Sequence, residues 1–330
     1  MLDRADSLRI PAVAPPSATA FPAWARATNP PEAEAKAAFL AGAALSRLDA
    51  VVREKPPCCG VWRQRLALGA AAASAACSGR AEDAAALRDA FHLTRPGADP
   101  GPAGSNLLAW RALTSASPAR WRTQIERAAE VLQVPRDEAL RAAIEAAAAC
   151  ADGGRLAPFA AARCYQLALR ALAPAGGAGE LLAAWVVDAV LACKLKWPFA
   201  LPLLGAGQCD GGQRDATRRS AGERGAGQRD AGQGETAEVL FGYARAATQA
   251  ADLAAEFSRR AQKLAEAAPK LRAKGAGAAL QALLDEDWLS AATHIFALSE
   301  RGARRLFERL VALGAVRELT GRATFRLYGL

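Results

Sequence analysis

Residues 299–330 read SERGARRLFERLVALGAVRELTGRATFRLYGL, and the fold of the chain is decided there. Ser299 is a residue type that caps helix starts, because its hydroxyl can accept from an otherwise unbonded backbone N–H. From it, Ala303, Leu306, Phe307 and Leu310 recur at three- and four-residue spacing, which predicts a helix with one apolar face running to about Leu313. Arg301, Arg305 and Arg309 are spaced by four and form a stripe on another face, with Arg304 beside it. Gly314 can adopt the left-handed conformation that ends a helix. Two β-type runs follow, Val316–Leu319 and Thr324–Tyr328, joined by a turn at 320–323 in which Gly321 is available for positive φ.

Upstream, residues 277–289 predict another apolar-faced helix through Ala279, Leu280, Leu283, Leu284 and Leu289, followed by a connecting piece at 290–298. Helix, helix, helix and hairpin is the order of a winged helix. In that motif the last helix can enter the major groove and the wing meets the adjacent backbone. The expected fold class is therefore mainly α: a multi-helix bundle with a C-terminal winged-helix unit carrying a small β-hairpin. The candidate DNA-binding residues are Arg301, Arg304, Arg305, Arg309, Arg317, Thr320, Arg322 and Arg326. The partner they suggest is double-stranded DNA. The last 34 residues hold seven Arg against three Glu.

Working back toward the N-terminus, the pattern is helical almost throughout. Leu40, Ala44, Leu45, Leu48, Val51 and Val52 mark a helix that Pro56 and Pro57 stop. Further helices are expected at about 61–77, 81–91, 105–115, 118–133, 136–151, 156–172 and 178–196. Ser117–Pro118 reads as a cap followed by proline at the first helical position, and Pro135 is expected to start the next helix similarly. Residues 178–196 are apolar nearly all round, so that helix should be central and buried. Residues 94–104 hold three Pro and three Gly, which predicts a loop with no helix. Residues 205–235 are low-complexity, without a large apolar side chain, and predict a flexible insertion. The long helix should then resume at about Ala237 and run to Ala267. Residues 1–31, rich in Pro, Ala and Ser, predict a disordered tail. The resulting domain map is a tail at 1–31, a helical domain at 32–274 interrupted by the insertion at 205–235, and the winged-helix unit at 275–330.

The chain has 330 residues with 52 % hydrophobic content, much of it Ala, and only 6 % aromatics. Scarce β-branched runs and few aromatics exclude an extensive sheet. The formal net charge is +9. Residues 239–330 contribute 14 basic and 9 acidic residues, the densest excess of any large segment. The most apolar run, Leu181–Cys193, is short for a membrane span and contains Asp188. The first residues lack the apolar core of a signal peptide, because Pro11, Pro15 and Pro16 interrupt them. The expected location is the cytoplasm, and the seven Cys then read as reduced, small core residues. No C-x-x-C pair and no metal spacing are present, so no metal or cofactor is expected. Walker A, G-x-S-x-G and dinucleotide patterns are absent as well, and no catalytic centre is identified.

The stretches AGAALSRLDAVVRE, VWRQRLALGAAAASAA, ALRDAFHLTRPGADPGPAG and KLRAKGAGAALQALLDEDWLS, with the ending RGARRLFERLVALGAVRELTGRATFRLYGL, closely resemble the bacterial family catalogued as domain of unknown function 1403. The resemblance runs from about Phe39 to the end and is weakest through 205–235. It carries no catalytic residues across. The C-terminal piece is also similar to the winged helix that often ends Fic-family proteins. The adenylyltransferase reading this implies is rejected by the residues. The Fic loop needs His-Pro-Phe-x-(Asp/Glu)-Gly-Asn-Gly-Arg, and the chain's two histidines, His92 and His294, are not followed by anything similar.

Three functions are consistent with these features. The first is a DNA-binding regulator or accessory protein acting through the C-terminal winged helix. A second is a protein–protein interaction module that docks through the same unit. The third is an enzyme of unrecognised type using residues 89–104, where Asp89, His92 and Asp99 cluster in sequence and a carboxylate beside an imidazole could form a general base.

Overall fold

The computed structural model describes residues 21–27, 33–95, 97–207, 228–271, 275–292, 298–322 and 325–330. The fold is mainly α. Its helices are α1 (Glu34–Glu54), α2 (Cys59–Cys77), α3 (Ala84–Leu93), α4 (Gly101–Ser115), α5 (Trp121–Val131), α6 (Glu138–Asp152), α7 (Ala157–Leu172), α8 (Gly176–Lys194), the short α9 (Leu203–Gly207), α10 (Gln228–Ala267), α11 (Ala276–Asp285) and α12 (Glu300–Ala312). The strands β1 (Leu289–Ser290), β2 (Arg317–Glu318) and β3 (Leu327–Gly329) complete the described elements. The chain divides into two compact units. Among the described residues, the larger holds 21–53 and 66–251, and the C-terminal one holds 54–65 and 252–330.

In the larger unit α8 is the central helix, packed against α4, α5, α6, α7 and α9. Every residue from Leu181 to Ala192 is buried, as its unbroken apolar sequence requires. Trp185 is fully buried and its indole N–H donates to Ala109 O at 2.9 Å, so the one polar atom of the ring is satisfied. Two glycines permit close approach. A Cβ on Gly179 would overlap Leu172 O, and one on Gly205 would overlap the Trp110 ring. A second apolar cluster joins α1 to α10 through Leu40, Ala41, Leu240, Phe241 and Ala244. By length and composition the stretch Ala157–Lys194 could cross a membrane, but 72 % of its apolar window is buried.

In the C-terminal unit a three-stranded antiparallel sheet runs in the order β1-β3-β2. Leu289 pairs with Tyr328, Ser290 with Leu327, Arg317 with Gly329 and Glu318 with Tyr328. The Phe307 and Tyr328 rings stack with centroids 4.6 Å apart and fasten α12 to β3. The beginning of α2 belongs to this unit. Arg65 pairs with the fully buried Asp287, and its guanidinium lies 5.4 Å from the Phe257 ring. Gly60 faces Asp285 so closely that a Cβ there would overlap its backbone. Cys58 and Ser258 meet at 3.6 Å. Among the described residues, the C-terminal unit therefore draws in 54–65 and 252–271 as well as those of the expected 275–330. These contacts span some 200 residues of chain and leave no local pattern.

Several local expectations are corrected. Residues 101–104 are helical, because Pro102 lies in the first helical turn, where its missing N–H costs nothing. Asp99 accepts from Gly101 N at 2.8 Å just ahead of that turn. Pro135 does not begin a helix; Asp137 does, capping Leu140 N. Ser117 precedes Pro118 as expected, but its side chain makes no cap. Residues 203–207 are helical and α10 starts at Gln228, not near Ala237, so helix covers both ends of the expected insertion. Its middle, 208–227, lies outside the described residues, as do 1–20 and 28–31 of the expected tail. Within that tail, residues 23–25 form a 3₁₀ turn with Phe21 and Ala25 buried. Cys77 is disulfide-bonded, which corrects the expectation of seven reduced thiols, since spacing in sequence does not show proximity in space. Cys58, Cys59, Cys150, Cys164 and Cys193 are unbridged.

Candidate nucleic-acid interface

The exposed basic helix α12 starts as its sequence specifies. The Ser299 hydroxyl accepts from Gly302 N at 3.2 Å, and Glu300 places a negative charge in the first turn. Ala303, Leu306, Phe307 and Leu310 are buried, so one face is fixed inward. The helix ends in a Schellman motif: Gly314, at φ 67°, donates to Val311 O at 2.9 Å, and Ala315 donates to Leu310 O at 3.0 Å.

With that face inward, Arg301, Arg304, Arg305 and Arg309 are all exposed. They differ in their partners. Arg304 pairs with Glu300 at 3.2 Å, so part of its charge is met within the helix. Arg301, Arg305 and Arg309 have no ion pair among the described residues and keep their full positive field. Four-residue spacing holds these three on one side, which is the sequence-derived stripe in three dimensions.

The hairpin residues divide similarly. Arg317, Arg322 and Arg326 are exposed. Thr320 is half-buried and structural: its hydroxyl donates to Phe325 O at 2.8 Å and closes the hairpin connection. The same hydroxyl accepts from Leu327 N at 3.4 Å, while Leu319 N still donates to Leu327 O at 2.7 Å, and the assigned strands, Arg317–Glu318 and Leu327–Gly329, are shorter than the expected runs at 316–319 and 324–328. Residues 323 and 324 lie outside the described set, as does His294.

Sequence reasoning missed a second group of cations in this unit. Arg260 on α10 is half-buried, pairs with Glu256, and lies 5.7 Å from the Phe257 ring. Burial lowers its pKa, with Arg317 and Arg65 adding repulsion, so Arg260, Arg317 and Arg65 share one local field. No signal short of the tertiary contact could have joined residues so far apart.

Of the residues weighed as a possible catalytic cluster, Asp89 and His92 both lie on α3 and interact electrostatically. Arg88 donates to Asp89 Oδ1 at 3.1 Å, and both side chains are buried. His92 is half-buried, and burial lowers its pKa against the opposing pull of Asp89. A pocket of about 340 Å³ in the larger unit is lined by Arg80, Asp99, Asn106 and Gln133, but neither Asp89 nor His92 reaches it. Among the described residues no group of three His, Cys, Asp or Glu could hold a metal ion.

The fold and this surface define a class: a mainly helical protein whose C-terminal unit carries a small antiparallel sheet and an exposed arginine-bearing helix. The family model described as "Protein of unknown function (DUF1403)" matches residues 14–330, and the chain belongs to that family. No curated protein matches the chain.

Proposed function

We propose that the protein is a DNA-binding regulator or accessory protein whose C-terminal unit acts as a winged helix, with α12 as the recognition helix and the β2–β3 connection as the wing. The observation that carries this reading is the sidedness of α12. A buried apolar face leaves Arg301, Arg305 and Arg309 together on solvent, the arrangement a helix needs to approach a polyanion. Two further features support it. The element order α11, β1, α12, β2, β3 with sheet order β1-β3-β2 fits that motif, and Arg322 stands in the hairpin connection, where a wing would meet phosphate. The connecting residues between β1 and α12 fall partly outside the described set.

The test is fluorescence anisotropy with labelled duplex DNA across a potassium chloride series. The parent is compared with a variant carrying Arg301→Ala, Arg305→Ala, Arg309→Ala and Arg322→Ala, checked for folding by circular dichroism. The variant is expected to bind more weakly and with a flatter salt dependence, by about one unit of log–log slope per phosphate contact removed. Arg305→Ala alone is expected to cost about 1–3 kcal/mol on a preferred sequence if it reaches a base edge. Equal binding by parent and quadruple variant removes DNA from this surface and leaves protein docking as the better account.

A further inference from the structure

The pocket of about 340 Å³ in the larger unit lies where four helix ends meet: the ends of α2 and α5 and the starts of α4 and α8. Its volume is at the small end of the roughly 300–1,000 Å³ common for ligand sites. Leu132 and Leu181, both buried, supply an apolar part of the lining. The rest is largely polar. Ser105 and Asn106, half-buried near the start of α4, and Gln133, just past the end of α5, all line it. None of these three side chains has a hydrogen-bond partner among the described residues. Gln133 also holds a left-handed backbone, φ 57°, although it is not glycine. That conformation is costly for any residue with a Cβ, and such strain collects at binding sites.

The charges in this lining are separated by sign. Arg80 and Asp99 border the same pocket, and no ion pair joins them. Arg80 turns one edge of its guanidinium to Glu82, with Nε 3.1 Å from Oε1, and its Nη1 stands outside that pair. Asp99 accepts from Gly101 N through Oδ1 at 2.8 Å, which leaves Oδ2 for another donor. The backbone repeats the separation. Gly177 and Ala178, in the first turn of α8, border the pocket, and no side chain caps that turn, so a positive helix end lies at the site. The ends of α2 and α5 bring negative ends to it. A simple anion would meet Asp99 there, and a simple cation would meet Arg80. A ligand that suits both carries both signs, held apart on one small frame.

We infer that this pocket binds a free α-amino acid, with its carboxylate toward Arg80 and the start of α8 and its ammonium toward Asp99. Asn106 and Gln133 each offer N–H donors and a carbonyl acceptor, and Ser105 offers a hydroxyl, so the ligand side chain they favour is polar and uncharged. Leu132 and Leu181 are there to cover its carbon atoms. This site is independent of the arginines of α12 and does not need DNA to be the protein's partner.

The test is isothermal titration calorimetry of the full-length protein with L-glutamine, L-asparagine and L-serine. Sodium acetate, methylammonium chloride and glucose serve as probes that carry one of the two charges or neither. Saturable binding of at least one amino acid is expected, with acetate and methylammonium weaker by about tenfold or more, because each meets only one of the two charges. Arg80→Met and Asp99→Asn should each weaken amino-acid binding by about tenfold. The second variant keeps an oxygen for Gly101 N, so the start of α4 is retained. Gly177→Leu gives an independent block. The nearest atom to a Cβ at Gly177 is Ser78 Oγ at 3.8 Å, an ordinary contact, so the helix tolerates the change while the new side chain stands beside Ser78 in the lining. Circular dichroism checks that each variant is folded. Absence of saturable binding by all three amino acids would overturn the proposal. So would binding that survives both Arg80→Met and Gly177→Leu, or acetate or glucose bound as tightly as the best amino acid.

Discussion

Asp188 in the larger unit and Asp287 in the C-terminal unit are both buried carboxylates, and they are held by opposite means. Among the described residues, no cation pairs with Asp188. It accepts from Leu204 N at 3.0 Å, from Gly205 N at 3.4 Å and from the Tyr243 hydroxyl at 3.2 Å, so it anchors the start of α9 to the core helix α8. Burial outweighs these donors and pushes its pKa up to about 8. Asp287 instead meets a guanidinium, Arg65, whose side chain remains 27 % exposed and is backed by Phe257. An apolar all-round helix can tolerate a carboxyl group by keeping it protonated among backbone donors. A small unit built from short elements can use an ion pair to fasten the start of α2 beside β1.

The largest expected effect follows from the first carboxylate. Asp188 is raised above its unfolded value of 3.8, so the folded state binds one more proton between about pH 4 and pH 8. Its contribution to stability is complete below pH 4, declines as pH rises through this window, and levels off above pH 8. The slope approaches about 1.4 kcal/mol per pH unit, or on the order of 3 kcal/mol between pH 5.5 and 7.5. Urea midpoints at those two pH values, for the parent and for Asp188→Asn, measure it. The variant should lose this slope. An equal slope in both proteins would mean that Asp188 is ionised in the fold and held by its donors alone.

The second carboxylate should behave differently. Asp287→Ala leaves Arg65 without its buried partner and should cost about 2–3 kcal/mol, discounted for the partial exposure of the guanidinium. Replacing both residues, as Arg65→Met with Asp287→Leu, should recover most of that loss, because the two desolvation costs go together. A double variant no better than Asp287→Ala would show that the pair does more than fasten two segments, and would break the contrast with Asp188.

The smallest effect lies on the surface of the same unit. Glu300 and Arg304 are 63 % and 60 % exposed, and their pair is one helical turn long. Glu300→Ala should cost about 0.5 kcal/mol or less, and high salt should remove most of the difference. A loss comparable to that of Asp287→Ala would mean that α12 depends on its charged face as well as its buried one.

What could be read in sequence was local. The α12 start was legible because Ser299 caps by its own hydroxyl and its end because Gly314 takes positive φ, both effects of neighbouring atoms. The α8 core position was legible because a helix apolar all round has no face to give to water. Other helix ends were hidden for an equally local reason: Gln133 and Lys196 adopt positive φ without being glycine, at φ 57° and 54°. The two-residue strand β1 was missed because its partner β3 lies nearly forty residues further on, and a pair that short has no alternation to detect.

The sequence by itself determined the helical class, the central place of α8 and the two-sidedness of α12. Each of these follows from the period of apolar side chains within one element. Only the tertiary structure decided that the start of α2 belongs with the C-terminal unit and that Arg65 meets Asp287. Such meetings depend on how separate elements pack, and no periodicity within a single helix encodes the partner that closes over it.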